Sequence, residues 1–184
     1  MLRHLPNAIC LARIALTVPT VVAIERGEHV LALALFTVAA VSDGLDGYLA
    51  KRFGWQTYLG RVLDPLADKI LLVAAFLACT WQGMVPVWLA TAVIARDVML
   101  VGGAIIYRVW FGPIDEHPTR VSKINTTLQI IVVILAMLDA ASGLVPAAIV
   151  LALAAATLVT TVISGVDYLQ RSFLRAWHLP PAPR

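Results

Sequence analysis

Apolar residues recur along this chain in six long runs that short polar segments separate. Each run is close to the roughly 20 residues that a helix rising 1.5 Å per residue needs to cross the hydrocarbon core of a bilayer. Glycine or proline stands in most of the segments between the runs, as is typical of turns. The pattern predicts an all-α polytopic membrane protein with six transmembrane helices, at about residues 7–24, 29–50, 63–80, 85–107, 124–142 and 145–168.

The composition supports this interpretation. Of the 184 residues, 60% are hydrophobic and only 14% are charged, which is unusual for a soluble domain. A large soluble helical bundle is the alternative, but its surface would consist almost entirely of aliphatic residues, in conflict with the limited apolar patches of soluble proteins. We interpret residues 1–184 as one membrane domain with a short disordered tail from about residue 177.

Lysine and arginine concentrate in alternate connections between the runs, and Arg26 is the one basic residue in the others. By the positive-inside rule, this bias places both termini at the cytoplasmic face. Anionic lipid headgroups then account for the net charge of +3, and no nucleic-acid partner is needed. The simplest location is a bacterial plasma membrane, with the first run as a retained helix rather than a signal peptide. A processed organellar chain would look the same.

Four aspartates interrupt the apolar pattern at the end of the second run and the start of the third. On insertion scales each costs about 2.5–3.5 kcal/mol within a membrane helix, so four cost on the order of 10 kcal/mol. If the two helices pack as an antiparallel pair, the carboxylates meet near the cytoplasmic end. On each helix the aspartates share a face with small residues, at Asp43, Asp46, Gly47 and Ala50 and at Gly60, Asp64 and Asp68.

Four carboxylates in this arrangement suit two divalent metal ions. Asp64 and Asp68 lie one helical turn apart, about 6 Å along the axis, and oxygen ligands are those that Mg²⁺ and Mn²⁺ prefer. Two metals about 4 Å apart neutralise the phosphate oxygens and the leaving group together in displacement at phosphorus. The alternative is a network of salt bridges and helix caps with Lys51, Arg61 and Lys69.

The order and spacing of these residues resemble the signature of the CDP-alcohol phosphatidyltransferases, D-x2-D-G-x2-A-R-x8-G-x3-D-x3-D. Lys51 is the one departure, because the family has arginine there. The resemblance implies a homodimeric six-helix enzyme in which an alcohol displaces CMP from a CDP-linked lipid at a cytoplasmic two-metal site. It assigns the metals to the four aspartates and the proton of the attacking hydroxyl to Asp68. It assigns CDP-lipid contacts to Asn7, Gly47, Ala50, Lys51, Thr57 and Gly60, and a helix cap is the alternative role for Asn7.

Two later stretches bear on the acceptor alcohol. ARDVMLVGGAIIYR (residues 95–108) and HPTRVSKINTTLQ (residues 117–129) are similar to those of the cardiolipin synthases of this family. That similarity implies CDP-diacylglycerol and phosphatidylglycerol as substrates and cardiolipin and CMP as products. Phosphatidylglycerophosphate synthases share the acidic signature and use glycerol 3-phosphate, so this acceptor stays open.

Candidate contacts to the acceptor phosphate are Arg96, Arg120, Lys123 and Asn125, because cations and amide donors suit an anionic headgroup. Local pairing with Asp97 is the alternative role for Arg96. Membrane topology alone is the alternative explanation of the basic residues at the start of the fifth run.

A hypothesis from another class is a transporter or channel for divalent cations, since carboxylates within membranes also mark ion pathways. The aspartates lie at one membrane face, and the outer halves of the predicted helices offer no polar path. The sequence therefore favours the enzyme.

Overall fold

The structure is a computed structural model, and it describes the backbone of residues 5–53, 58–111 and 119–178. It describes the side chains of residues 11–42, 67, 69–103, 105 and 119–171. Within those ranges the chain is all helical, which confirms the predicted class. The helices are α1 (Leu5–Glu25), α2 (His29–Phe53), α3 (Tyr58–Trp81), α4 (Val87–Phe111), α5 (Arg120–Ser142) and α6 (Ala147–His178).

Glycines in the left-handed conformation follow three of the described helices, at Gly27, Gly83 and Gly143. Gly27 after α1 has φ of 74° and Gly83 after α3 has φ of 76°. The amide of Glu28 donates to the carbonyl of Ala23 at 2.9 Å, and so closes the end of α1. Only glycine adopts this backbone without strain, so the turns occur where the sequence breaks the apolar runs.

The largest difference from the predicted boundaries is at the end of α6. The apolar run ends at about residue 168, whereas the helix continues to His178. An ion pair one turn apart, Arg171 Nε to Asp167 Oδ1 at 2.9 Å, stabilises the polar extension. Residues 177 and 178, where the disordered tail was predicted to begin, are therefore helical. The rest of that tail lies outside the described residues.

Two helical segments are long and apolar enough to cross a bilayer, Arg120–Ser142 in α5 and Ala147–Arg171 in α6. His29–Ser42 in α2 and Lys69–Trp81 in α3 are apolar but shorter. This finding is based on length and composition within the described residues. Crossing of the membrane by the helices, and therefore the six-span topology, stays a prediction.

The chain divides into two compact units, and the first comprises Met1–Val85 and Ile130–Val150. In this unit α1 packs against both α2 and α3, whereas α2 and α3 have few contacts with each other in the described part of the chain. Ile24, Phe36 and Phe76 are among its largest fully buried side chains. The Gln82 amide donates to the carbonyl of Glu25 at 3.0 Å, which joins the turn after α3 to the end of α1.

The second unit comprises Pro86–Gln129 and Leu151–Arg184. Its α6 buries small or hydroxyl-bearing residues and exposes large apolar ones. The buried face is formed by Ala154, Thr157, Thr161 and Ser164, and the exposed face by Leu151, Val159, Val162, Ile163 and Val166. Small residues and cross-helix hydrogen bonds are typical of helix association within membranes.

Close contacts between α4 and α6 depend on glycine. A Cβ atom at Gly103 would stand 2.6 Å from Tyr168 Oη, and one at Gly165 would stand 3.3 Å from Met99 Cε. Both distances are shorter than ordinary carbon contacts of about 3.5–4.0 Å. The absence of a side chain at Gly103 therefore lets the ring of Tyr168 lie against α4.

Candidate functional site

The four aspartates predicted to hold metals lie on helical backbone. Asp43 and Asp46 are in the second half of α2, and Asp64 and Asp68 are in the first half of α3. This confirms the helical spacing that places the members of each pair on one face. Their side chains lie outside the described ones, so metal binding by them and the proton-acceptor role of Asp68 stay predictions. Among the described residues there is no group of three or more acidic, histidine or cysteine side chains suited to a metal.

For the residues predicted to contact the CDP-lipid, binding likewise stays a prediction. Thr57 lies outside the described residues, and the other five have helical backbone but side chains that are not among those described. Asn7 is in α1, Gly47, Ala50 and Lys51 are in α2, and Gly60 is in α3.

Among the described side chains, Arg96 of the second unit makes hydrogen bonds that join three helices. This α4 residue is 5% exposed. Its Nη1 donates to Asp97 Oδ1 at 2.7 Å, and its Nη2 donates to Ser122 Oγ in α5 and to Ser164 Oγ in α6, each at 2.6 Å. The structure thus shows the local pair that the sequence left as an alternative. Contact of Arg96 with an acceptor phosphate stays a prediction, and the buried Nε of Arg96 has no hydrogen-bond partner among the described residues.

A second buried polar contact lies one turn further along α5. Asn125 is fully buried, and its Oδ1 accepts hydrogen bonds from the hydroxyls of Thr160 and Thr161, each at 2.9 Å. Its Nδ2 has no partner among the described residues. Gln129, also fully buried and one further turn along the same face, has no described partner for either amide atom.

These contacts also show the direction of α5 relative to α6. Position 122 of α5 and position 164 of α6 share Arg96, and position 125 of α5 meets positions 160 and 161 of α6. The contacts move toward the start of α6 as they move along α5, so the two helices are antiparallel here. The start of α5 therefore lies beside the C-terminal part of α6.

A groove of about 780 Å³ opens at that place. Residues 119–121 line it from the start of α5, and one face of α6 lines it from the other side. The α6 lining consists of Val162, Ile163, Val166, Asp167, Gln170 and Arg171. Arg120 and Lys123 are both exposed, but only Arg120 is among the lining residues. Of the four candidate acceptor residues, Arg96 and Asn125 are therefore buried, each with its own hydrogen bonds, and Arg120 and Lys123 are exposed.

Several residues in this region were absent from the sequence-based predictions. The predicted site residues do not include the hydroxyl-bearing Ser122, Thr160, Thr161 and Ser164 or the groove residue Arg171. The sequence does hold a signal for the α6 face, because Thr157, Thr161 and Ser164 stand at i, i+4 and i+7 in a mostly aliphatic run.

In comparisons with known proteins, this chain matches one family model and several named enzymes. A family model described as CDP-alcohol phosphatidyltransferase matches residues 3–163. A cardiolipin synthase (CMP-forming) of Homo sapiens is 34% identical over 145 residues, which are 70% of this chain and 48% of the relative. The chain spans about half the length of this first relative.

Two bacterial relatives carry other names. A CDP-diacylglycerol–glycerol-3-phosphate 3-phosphatidyltransferase of Bacillus subtilis is 32% identical over 146 residues, which are 71% of this chain and 74% of the relative. A Mycobacterium tuberculosis protein described as a probable phosphatidylglycerophosphate synthase is 29% identical over 182 residues, which are 92% of this chain and 81% of the relative.

Proposed function

This chain belongs to the CDP-alcohol phosphatidyltransferase family, and from that premise we propose that it is a cardiolipin synthase. It would transfer the phosphatidyl group of CDP-diacylglycerol to phosphatidylglycerol and release cardiolipin and CMP. The observation that carries the choice of acceptor is the 34% identity to a cardiolipin synthase (CMP-forming), obtained over 145 residues. The similarity of residues 95–108 and 117–129 to the corresponding stretches of cardiolipin synthases supports the same choice.

Phosphatidylglycerophosphate synthesis is the second candidate. A relative named as a glycerol-3-phosphate 3-phosphatidyltransferase is 32% identical, which is close to the 34% of the first relative. Both reactions take the same donor and expel CMP, and both acceptors carry a phosphate. The acceptor alone separates the two candidates.

The acidic residues fit the metals that the proposal requires. Four carboxylates, two on α2 and two on α3, supply only oxygen ligands, and these suit Mg²⁺ or Mn²⁺. Asp43, Asp46, Asp64 and Asp68 would hold the two ions. When bound, the ions supply neutralisation of charge on the phosphate oxygens and on the leaving CMP.

The chain's own groups would orient the donor and move one proton. The acceptor hydroxyl oxygen forms a bond to the phosphorus that carries diacylglycerol, the bond from that phosphorus to CMP breaks, and the proton passes to Asp68. Lys51 would place a single positive charge near the diphosphate. It lacks the two parallel N–H donors with which arginine binds phosphate, so Arg52 would share that role.

We further propose a homodimer in a bacterial plasma membrane, with both termini and the active site at the cytoplasmic face. The alternation of basic segments supports this orientation. The two apolar spans of α5 and α6 support the membrane location.

Release of CMP from CDP-diacylglycerol by purified protein, with Mg²⁺ or Mn²⁺ present, tests the proposal. Phosphatidylglycerol and glycerol 3-phosphate are offered in separate reactions, and lipid products are identified by mass spectrometry. We expect CMP and cardiolipin with phosphatidylglycerol. Turnover with glycerol 3-phosphate alone would establish the second candidate, and turnover with neither would refute both.

A further inference from the structure

The groove between the start of α5 and the C-terminal part of α6 changes in chemistry along its length. Val162, Ile163 and Val166 line one end and are 56%, 50% and 48% exposed. Asp167, Gln170 and Arg171 line the other end. From residue 162 to residue 171 the helix advances about 14 Å. One continuous groove therefore has an apolar half and a polar half.

The polar half has an excess of positive charge. Arg120 is exposed and has no hydrogen bond or ion pair with the part of the chain that the structure describes. Arg171 donates through Nε to Asp167 at 2.9 Å, and its side chain remains 54% exposed. A guanidinium has five N–H donors, so the terminal nitrogens of Arg171 stay available. Two cations and one carboxylate leave a net charge of +1 at this end.

The two arginines also stand next to the apolar runs of α5 and α6. Arg120 is the first residue of the candidate span in α5, and Arg171 follows the apolar run of α6, which ends at about residue 168. Where both helices cross a bilayer, their antiparallel arrangement puts both arginines at the same face, at the level of lipid headgroups. The apolar half of the groove then lies at the depth of acyl chains.

We propose that this groove binds an anionic phospholipid, with the phosphate of the lipid at Arg120 and Arg171 and an acyl chain along Val162, Ile163 and Val166. Charge complementarity favours an anionic lipid over a zwitterionic one, since cations near a membrane surface attract anionic headgroups. The apolar half favours a lipid over a free phosphate compound. The inference rests on the proposed function and deepens it, because Arg120 is one of the residues predicted to contact the acceptor phosphate, and its test measures lipid binding separately from turnover.

Binding of phosphatidylglycerol to the intact purified protein tests this site. The affinity is measured by native mass spectrometry, with phosphatidylcholine of the same acyl chains as the reference lipid. We expect Arg120→Gln and Arg171→Gln each to lower the affinity for phosphatidylglycerol about fivefold, and the double variant about 25-fold, from roughly 1 kcal/mol per cation. Arg26→Gln, which removes an equal charge from the exposed turn after α1, should change it less than twofold.

Asp167→Asn gives a change of opposite sign, which misfolding cannot produce. It removes the carboxylate that holds Arg171 and raises the local charge by one, so we expect tighter binding of phosphatidylglycerol. Equal affinities in the double arginine variant and in Arg26→Gln would overturn the proposal. Displacement of the lipid by equimolar glycerol 3-phosphate would also overturn it, because the site would then bind a free phosphate.

The apolar half is tested by filling it. Val166 lines the groove and is 48% exposed, whereas Val159 lies on the exposed face of α6, is 56% exposed and is not among the lining residues. A phosphatidylglycerol with a photoreactive acyl chain should cross-link to peptides that contain residues 162–166. We expect Val166→Trp to reduce this cross-link several-fold and Val159→Trp to leave it unchanged. Equal cross-linking in both variants would place the acyl chain elsewhere.

Discussion

Two adjacent glycines of α4 are expected to respond in opposite ways to the same substitution. A Cβ at Gly102 would meet nothing within 4 Å, whereas a Cβ at Gly103 would stand 2.6 Å from Tyr168 Oη and 2.8 Å from Tyr168 Cε1. Alanine is favoured over glycine in a helix by about 1 kcal/mol. Gly102→Ala should therefore raise the free energy of unfolding by about that amount.

Gly103→Ala obtains the same gain in helix propensity but must displace the tyrosine ring. The ring has to move by about 1 Å to restore ordinary carbon contacts, and added bulk at a packed contact typically costs about 1–3 kcal/mol. Helix propensity cancels when the two variants are compared. Gly103→Ala should therefore be less stable than Gly102→Ala by about 1–3 kcal/mol.

The free energy of unfolding is measured by titration with SDS in mixed micelles, with loss of helical circular dichroism as the signal. Tyr168→Ala provides the control, because it removes the ring that the new methyl group would strike. In that background the two alanine variants should differ by less than about 0.5 kcal/mol. Equal stability of the two variants with Tyr168 present would show that α4 and α6 do not pack as the structure has them.

Three further predictions concern polar side chains. In the SDS titration, Ser122→Ala and Ser164→Ala should each lower the free energy of unfolding by about 1 kcal/mol. The double variant should lose more than the sum, because the Arg96 Nη2 atom that both serines bind is then buried without a partner. Additive losses would contradict this prediction. In the same titration, Asn125→Leu should destabilise by about 1–3 kcal/mol, since it removes the acceptor of the buried Thr161 hydroxyl. Gln129→Leu should be neutral or stabilising, because neither amide atom has a described partner, and an equal loss in both variants would argue against these contacts. Asp68→Asn should abolish CMP release while Mn²⁺ binding, measured by calorimetry, partly survives; near-normal turnover would exclude this residue as the proton acceptor.

The sequence predicted the helices well because bilayer-length apolar runs and glycine turns are local signals. It placed the acidic residues on helical faces for the same reason, since spacing alone determines which positions of a helix are neighbours. The end of α6 was less predictable. Hydrophobicity stops near residue 168, but a helix does not need apolar residues to continue, and α6 extends to His178.

Apolarity also fails to identify the interior of the second unit. In water, burial selects the large apolar face of a helix, but within lipid both faces of α6 have an apolar neighbour. Size and hydrogen bonding then decide which face is buried. Thr157, Thr161 and Ser164 are therefore inside, and Val159 and Val162 are outside. The partners of Arg96 were beyond local reasoning, because its two serines lie 26 and 68 residues away along the chain.

The position of Arg96 changes which cations are best suited to an anionic headgroup. Arg96 is buried, and its terminal nitrogens already bind Asp97, Ser122 and Ser164. A phosphate would have to enter between α4, α5 and α6 to reach it, and burial of that charge carries a desolvation cost. Arg120 is exposed and faces no such cost. Among the cations predicted to bind the acceptor phosphate, the groove residue can therefore meet a lipid without loosening the contacts that join α4 to α5 and α6.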